Sequence, residues 1–343
     1  MTPRVSIVVP AYNAAPTLPA CLDALLAQTL TDIEVLAIDD GSTDDTWALL
    51  CAYAQRDARV RACQLPANQG VSAARNTGLA QARGAYVGFC DADDWAEPTM
   101  YAALLRAAEE ARAQVAFCAV VKHLPHRDVP VPLPWPDGAR LDRAAIRADL
   151  IPAMIALEKD GEALPVSGYT PRNLFAREAL QGLSFRPDIH YAEDLLFIVQ
   201  ALLQAEAATV VAAPLYHYRF HAASVTQRYS AHIPASFDAS QAALWNTLRA
   251  HGLADALAAR MAIRARRNLL GAVANLCLTG TPYRPRARVR AIRALIAAPE
   301  VRALFAPVRL RTLPPKLALK HALVRCRLAT PLMLLFTYAH RTR

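Results

Sequence analysis

Up to Asp94 the chain repeats a single unit: a short apolar run, a polar or acidic loop, then apolar residues at helical spacing. Val5–Val9 ends in Pro10, Ala11, Tyr12 and Asn13, and Leu18, Cys21, Leu22, Leu25 and Leu26 follow. Glu34–Ile38 ends in Asp39, Asp40, Gly41, Ser42, Thr43 and Asp44, and Trp47, Leu50, Cys51 and Ala54 form the next inner stripe. Val60–Leu65 precedes a helix that starts near Gly70 and carries Arg75 on its rim. Near-continuous apolar runs suit parallel strands covered on both faces. Strand, loop and helix in repetition call for right-handed crossovers. The expected fold is therefore α/β, with a Rossmann-like mixed, mostly parallel sheet between helices. Its loops at 10–13, 39–44 and 91–94 share one edge, where such sheets present their ligand groups.

The fourth strand, Tyr86–Cys90, runs straight into Asp91, Asp93 and Asp94. Carboxylates packed this closely repel one another unless donors or a cation compensate. Mg²⁺ or Mn²⁺ holding a diphosphate suits so oxygen-rich a site. A solvated turn whose aspartates cap a helix beginning near Pro98 explains the same residues. No GxGxxG follows the first strand, so the phosphate turn of a dinucleotide fold is missing.

These motifs, taken in order, resemble those of glycosyltransferase family 2. They are PAYN at Pro10–Asn13, DDGSTD at Asp39–Asp44, NQGVSAARNTG at Asn68–Gly78, DADD at Asp91–Asp94, and the Glu193–Asp194 pair in YAEDLLF. The likeness covers about residues 4 to 220 and implies the GT-A nucleotide-diphospho-sugar transferase fold. By that resemblance Pro10, Tyr12 and Asp40 line the nucleobase pocket, with Asp40 accepting from uracil and Asp39 beside it. Arg75 frames the nucleotide, Asp91 faces the ribose or donor sugar, Ala92 is the small residue between the acids, and Asp93 ligates the metal. The implied donor is an NDP-sugar, most often UDP-linked, and transfer inverts the anomeric carbon. Asp194 is the implied general base, while Asp93 and its metal serve the leaving diphosphate. The hydroxyl acidifies as it attacks an oxocarbenium-like carbon, so an aspartate suffices to take its proton.

Plainer roles compete. Asp44 or Asp45 reads as a helix cap, Arg75 as a structural ion-pair partner, and Glu193 and Asp194 as acids favouring a helix amino terminus. Asp188, His190 and Tyr191 precede the base and either shape the acceptor side or serve structure. Val115–Val121 is a further strand, Pro125–Pro136 a hairpin or flap, Leu141–Leu157 a helix, and Asn173, Leu174, Phe175 and Arg177 resemble the family's stretch before the acceptor-side helix. In YHYR, His217, or His221 beyond it, is a candidate ligand for metal or diphosphate; a packed histidine fits the alternation equally. Arg219 is placed at phosphate, and this segment, with Ser224 and Thr226, looks like that of members building capsule and lipopolysaccharide.

The chain's net charge of +9 is unevenly distributed: residues 260–343 hold 18 Lys or Arg against the single acid Glu300. Helices are expected there, with Arg260, Arg264 and Arg267 beside Leu257 and Ile263, and Lys316, Lys320, Arg325 and Arg327 among leucines. Basic residues mixed with aliphatics suit an anionic membrane surface, a nucleic acid or a phosphorylated substrate, and a solvated arginine face on an ordinary bundle explains them as well; Leu328–Phe336 is too short to span a membrane. No base-reading or stacking motif supports nucleic acid. The seven cysteines show no CxxC or zinc rhythm and read as buried thiols of a reducing compartment. No signal-peptide pattern opens the chain.

The expected organisation is a catalytic domain over 1–225, with a nucleotide-sugar half to about 120 and an acceptor half beyond it, then a basic helical region over 226–343. The expected activity is that of a metal-dependent inverting hexosyl- or N-acetylhexosaminyl-transferase. Its acceptor would be a glycan or lipid-linked saccharide, and its place the cytoplasmic face of the membrane. A small soluble acceptor, or an inactive nucleotide-binding scaffold of the same fold, are the alternatives. Donor sugar, linkage and oligomeric state are not legible.

Overall fold

A computed structural model describes residues 2–156, 168–220 and 228–341. His221, Ser224 and Thr226 lie outside them. The described residues form two compact units, the first running to Phe220 apart from the segment after Met154, the second chiefly from Arg228 on.

In the first unit the apolar runs become β1 (Val5–Ala11), β2 (Ile33–Asp39), β3 (Val60–Gln64) and β4 (Tyr86–Phe89). β1 is central, pairing parallel with β2 and β4, and β2 pairs parallel with β3. All seven residues of β1 and all seven of β2 are buried, as strands covered on both faces must be. Each such aliphatic side chain contributes about 1.5–3 kcal/mol by leaving water. Helices α1 (Leu18–Leu26), α2 (Thr46–Arg56), α3 (Val71–Gln81) and α4 (Met100–Ala111) supply the crossovers and the cover.

The sheet continues through β5 (Trp95–Ala96), β6 (Val115–Leu124), β7 (Arg127–Val131), β8 (Arg140–Asp142), β9 (Asn173–Ala176) and β10 (Ala207–Arg219). Its order is β3-β2-β1-β4-β9-β6-β10-β5, with β7 paired to β6 and β8 to β10. The strand β9 was not anticipated; it runs antiparallel to both β4 and β6 and joins the two parallel parts. Residues 127–131 form the expected hairpin with β6. The expected helix from Leu141 starts instead after Asp142, whose side chain accepts from Ala145 N at 2.9 Å, and contains a π-turn at Ile146–Leu150. β10 takes in both Thr209–Ala213 and YHYR, because register shifts around Pro214 absorb a residue that cannot donate to the ladder. Helix α5 (Glu193–Gln204) packs eight buried aliphatic or aromatic residues behind its acidic first turn.

The second unit is helical: α6 (Ile233–Ala250), α7 (Ala254–Asn275), α8 (Pro285–Ala297), α9 (Pro299–Phe305), α10 (Pro315–Arg325) and α11 (Ala329–Arg341). Val273, Ile292, Phe305, Val324 and Leu332 are in its core. Arg264, expected on an outer basic face, is buried and donates to Ser240 Oγ at 2.8 Å. Among the described residues no helix is long and apolar enough to cross a membrane. All seven cysteines are free thiols; Cys21, Cys90, Cys118 and Cys277 are buried as expected, whereas Cys51 and Cys63 are only partly buried and Cys326 is exposed.

Candidate active site

The loops after β1, β2 and β4 leave the same edge of the sheet, and the first two are tied to each other by bonds between side chain and backbone. Asn13, with φ of 47°, accepts from Thr43 N at 2.8 Å, and Asn13 N donates to Ser42 Oγ at 2.9 Å. Asp44 accepts from Thr46 N and Ala15 N, so it orders the start of α2 as expected of a cap; Asp45, at the formal cap position, makes no such bond. Gly41 has φ of 71°, and a Cβ there would lie 2.7 Å from the Ala67 carbonyl carbon, which lets the 39–44 loop pack on residues 67 and 68.

Pro10 is buried in β1 and Tyr12 stands half-exposed just beyond it. Asp39 is fully buried and accepts from Ser42 N, Ser42 Oγ and Gln64 Nε2. Asp40, expected to read uracil, is also buried, and its two oxygens accept from Gln69 N and Gly70 N, each at 2.8 Å. That geometry makes Asp40 the tether of the turn opening α3.

Arg75 is buried rather than on the rim of its helix, and it makes the ion pairs that its plainer role required. Its side chain is 4% exposed and turns towards the acids. Nη2 donates to Asp91 Oδ1 at 3.0 Å, and Nη1 to Asp194 Oδ1 at 2.5 Å and Glu193 Oε1 at 3.2 Å. Burial works against its charge, yet the three carboxylates hold the guanidinium protonated beyond its ordinary range. One cation thus joins the end of β4 to the start of α5. Glu193 and Asp194 do occupy the first helical turn, as their plainer role required, but the cap is Ala192, in the left-handed region at φ of 63°.

Burial pushes the Asp194 carboxyl up against the pull of Arg75, and its Oδ2 accepts from Thr170 N at 3.3 Å. Glu193 is pushed up to about 7 by burial and by the Asp194 charge. His190 and Tyr191 are exposed in the loop before α5, and Asp188 is held by Arg186.

The DADD acids divide by environment. Asp91 and Asp93 are partly exposed and Ala92 is buried between them. Asp94 is buried, accepting from Tyr216 Oη at 2.6 Å and Arg219 N at 2.7 Å. Burial and the charges of Asp91 and Asp93 push it up to about 8. None of the three caps α4, whose cap residue is Thr99. Among the described residues no three His, Cys, Asp or Glu gather as a metal cluster. Two accessible carboxylates, Asp91 and Asp93, still fit Mg²⁺ or Mn²⁺, ions held by one or two carboxylates plus substrate phosphates.

His217 does not join them. Its Nε2 lies 2.6 Å from Glu97 Oε1 and its Nδ1 2.8 Å from His123 Nε2, while His123 Nδ1 meets Asp128 at 2.7 Å. Trp95 stacks on His217 at 4.9 Å, and Arg219 lies over the other component of this packing, the Trp95 ring, at 4.8 Å. Both imidazole nitrogens are thus engaged, as the packed-histidine alternative has it, and Arg219 lies over an aromatic ring. The reading of the chain alone missed Tyr216, Thr170 and His123; alternation along β10 was the signal that pairs Tyr216 with Tyr218.

Residues 6–154 match the family described as Glycosyl transferase family 2. Over 229 residues the chain is 37% identical to an uncharacterized glycosyltransferase, EpsJ, of Bacillus subtilis strain 168, covering 66% of this chain and 64% of that protein. The structure of S. aureus TarS 1–349 in complex with UDP-GlcNAc superposes with a TM-score of 0.64 at 19% identity, over 99% of this chain and 92% of that one. The mannosyltransferase PcManGT of Pyrobaculum calidifontis, in complex with GDP-Man and Mn²⁺, gives a TM-score of 0.52 at 18% identity, over 100% and 87%. The sheet is that of the GT-A fold.

Proposed function

We propose that the protein, whose residues 6–154 match glycosyltransferase family 2, moves a sugar, with inversion, from a UDP-sugar to a hydroxyl of a glycan or lipid-linked saccharide in cell-surface polysaccharide synthesis. The observation that supports this reading is that one guanidinium, that of Arg75, holds both Asp91, read here as the donor-side acid, and Asp194, read as the acceptor-side acid. A transferase needs both ends of the reaction within one span.

In this account Pro10, Tyr12 and the Asp39–Asp40 loop form the nucleobase side, and Asp91 meets the ribose or sugar. Asp194 takes the proton of the acceptor hydroxyl as its oxygen bonds the anomeric carbon and the bond to the diphosphate breaks. Burial raises the proton affinity of Asp194 and the Arg75 charge opposes that rise, a balance that suits a base. Glu193 favours the acceptor side, with His190 and Tyr191 at its rim. Asp93 and Asp91 would hold a divalent ion, which when bound supplies positive charge for the departing diphosphate. The UDP-GlcNAc held by TarS and the GDP-Man and Mn²⁺ held by PcManGT support a nucleotide-sugar donor and a divalent ion. The base-rich second unit favours a station at the anionic cytoplasmic face of the membrane.

The test is transfer from a panel of UDP-sugars by parent and Asp194→Asn. The variant is expected to bind the donor as the parent does while turnover falls on the order of a thousandfold. Turnover within about threefold of the parent removes Asp194 as base.

A further inference from the structure

The helical pair α10 and α11 has two differently built sides. Towards the interior, Val324, Ala329, Leu332, Met333 and Phe336 enter the core of the second unit. Away from it, Leu334 is 58% and Tyr338 70% exposed, one helical turn apart on the face opposite Leu332 and Phe336. On α10, Leu319 is 48% exposed and shares the outer face with Lys316. The turn between the helices exposes Arg325, Cys326, Arg327 and Leu328, with Arg327 at φ of 55°.

Single exposed leucines are ordinary on a protein surface. Here several stand among four Lys or Arg between Lys316 and Tyr338, and no acid occurs anywhere after Glu300. A nucleic acid would neutralise the bases but leave the leucines in water, and a protein partner would need a matching acidic and apolar face. The boundary between anionic headgroups and acyl chains takes both kinds of side chain at once, with long basic residues reaching outward to phosphate. Neither helix is long enough to cross a bilayer, so the pair would lie in that boundary.

We propose that the α10–α11 hairpin is the element that docks this protein on an anionic lipid surface, seating Leu328 and Leu334 among acyl chains while Lys316, Arg325 and Arg327 meet headgroup phosphates. It rests on the membrane reading given above and specifies which surface serves it.

The experiment is co-sedimentation of the full chain with phosphatidylcholine vesicles with and without phosphatidylglycerol. It compares the parent, a Leu328→Asp/Leu334→Asp pair, an Arg325→Glu/Arg327→Glu pair, and an Arg286→Glu/Arg290→Glu pair of exposed arginines on α8. The two arginine pairs change net charge equally, so they separate the hairpin from charge in general. The parent binds only vesicles containing phosphatidylglycerol, both hairpin pairs lose on the order of tenfold in affinity, and the α8 pair stays within about threefold. Equal retention by the hairpin pairs, or an equal loss in the α8 pair, overturns the hairpin and leaves the membrane reading standing. A parent that ignores these vesicles, or prefers a single-stranded RNA oligonucleotide, overturns both. Unchanged thermal midpoints certify that the variants are folded.

Discussion

Arg75 Nη1 lies 2.5 Å from Asp194 Oδ1, a contact between residues 119 apart in the chain, and the same guanidinium holds Asp91 at 3.0 Å. Removing it leaves three carboxylates, all near one another, with no cation among them. Arg75→Met is therefore expected to cost about 3–5 kcal/mol in stability, as breaking a buried pair does, and to lower kcat/KM on the order of a hundredfold. Arg75→Lys keeps the charge but cannot reach both sides with a fork, so it recovers only part of either loss. Urea unfolding and steady-state kinetics on the two variants measure this.

The pH dependence has a definite sign. Asp94 and Glu193 titrate in the folded protein near about 8 and about 7, both above their ordinary values of 3.8 and 4.5. The folded state therefore binds these protons more tightly than the unfolded chain. Their contribution is full below the ordinary carboxylate values and declines as pH rises through the folded ones. Without metal, the thermal midpoint should fall between about pH 5 and about pH 8. Asp94→Asn, which cannot ionise, should flatten that fall; an unchanged slope would show that Asp94 does not carry it.

Tyr216 Oη donates to Asp94 at 2.6 Å within the core. Tyr216→Phe deletes one hydrogen bond to the buried Asp94 carboxyl and leaves it that from the Arg219 amide. A loss of about 0.5–1.5 kcal/mol is expected in chemical denaturation near neutral pH, where a carboxyl pushed up to about 8 is mainly uncharged.

Both nitrogens of His217 are engaged by Glu97 and His123. His217→Ala should therefore leave the metal dependence of donor binding as in the parent, while near-ultraviolet dichroism reports the changed environment of Trp95. A large loss of metal affinity in calorimetry would restore the histidine as a ligand.

Ala192 holds a left-handed conformation at φ of 63°, which costs a residue with a Cβ about 1–2 kcal/mol. Ala192→Gly relieves it, less the extra entropy of glycine, for a net gain of about 0.5–1 kcal/mol. Thermal unfolding of the single variant checks the sign.

What could be read from the chain follows from how local each signal is. β1 and β2 are continuous apolar runs bounded by turn residues, so their place in the sheet was plain within a few residues. β9 is four residues long and lies in a stretch without periodicity; it is a strand because β4 and β6 leave a gap for it, a tertiary cause. The acids of the site stood out as motifs, but their partners did not. Asp40 is satisfied by two backbone N–H groups, and Arg75 by residues from α5, neither of which leaves a trace in local spacing. In the second unit leucine periodicity marked the helices, whereas the burial of Arg264 depends on Ser240 from another helix.

The measurement that bears most directly on the account is calorimetric binding of UDP-sugars, with UDP-GlcNAc first, in Mn²⁺ and in chelator, by the parent and Asp93→Ala. The account predicts binding by the parent in Mn²⁺ that weakens on the order of a hundredfold both with chelator and on substitution. Absence of binding to any UDP-sugar, or binding indifferent to both metal and Asp93, would contradict it.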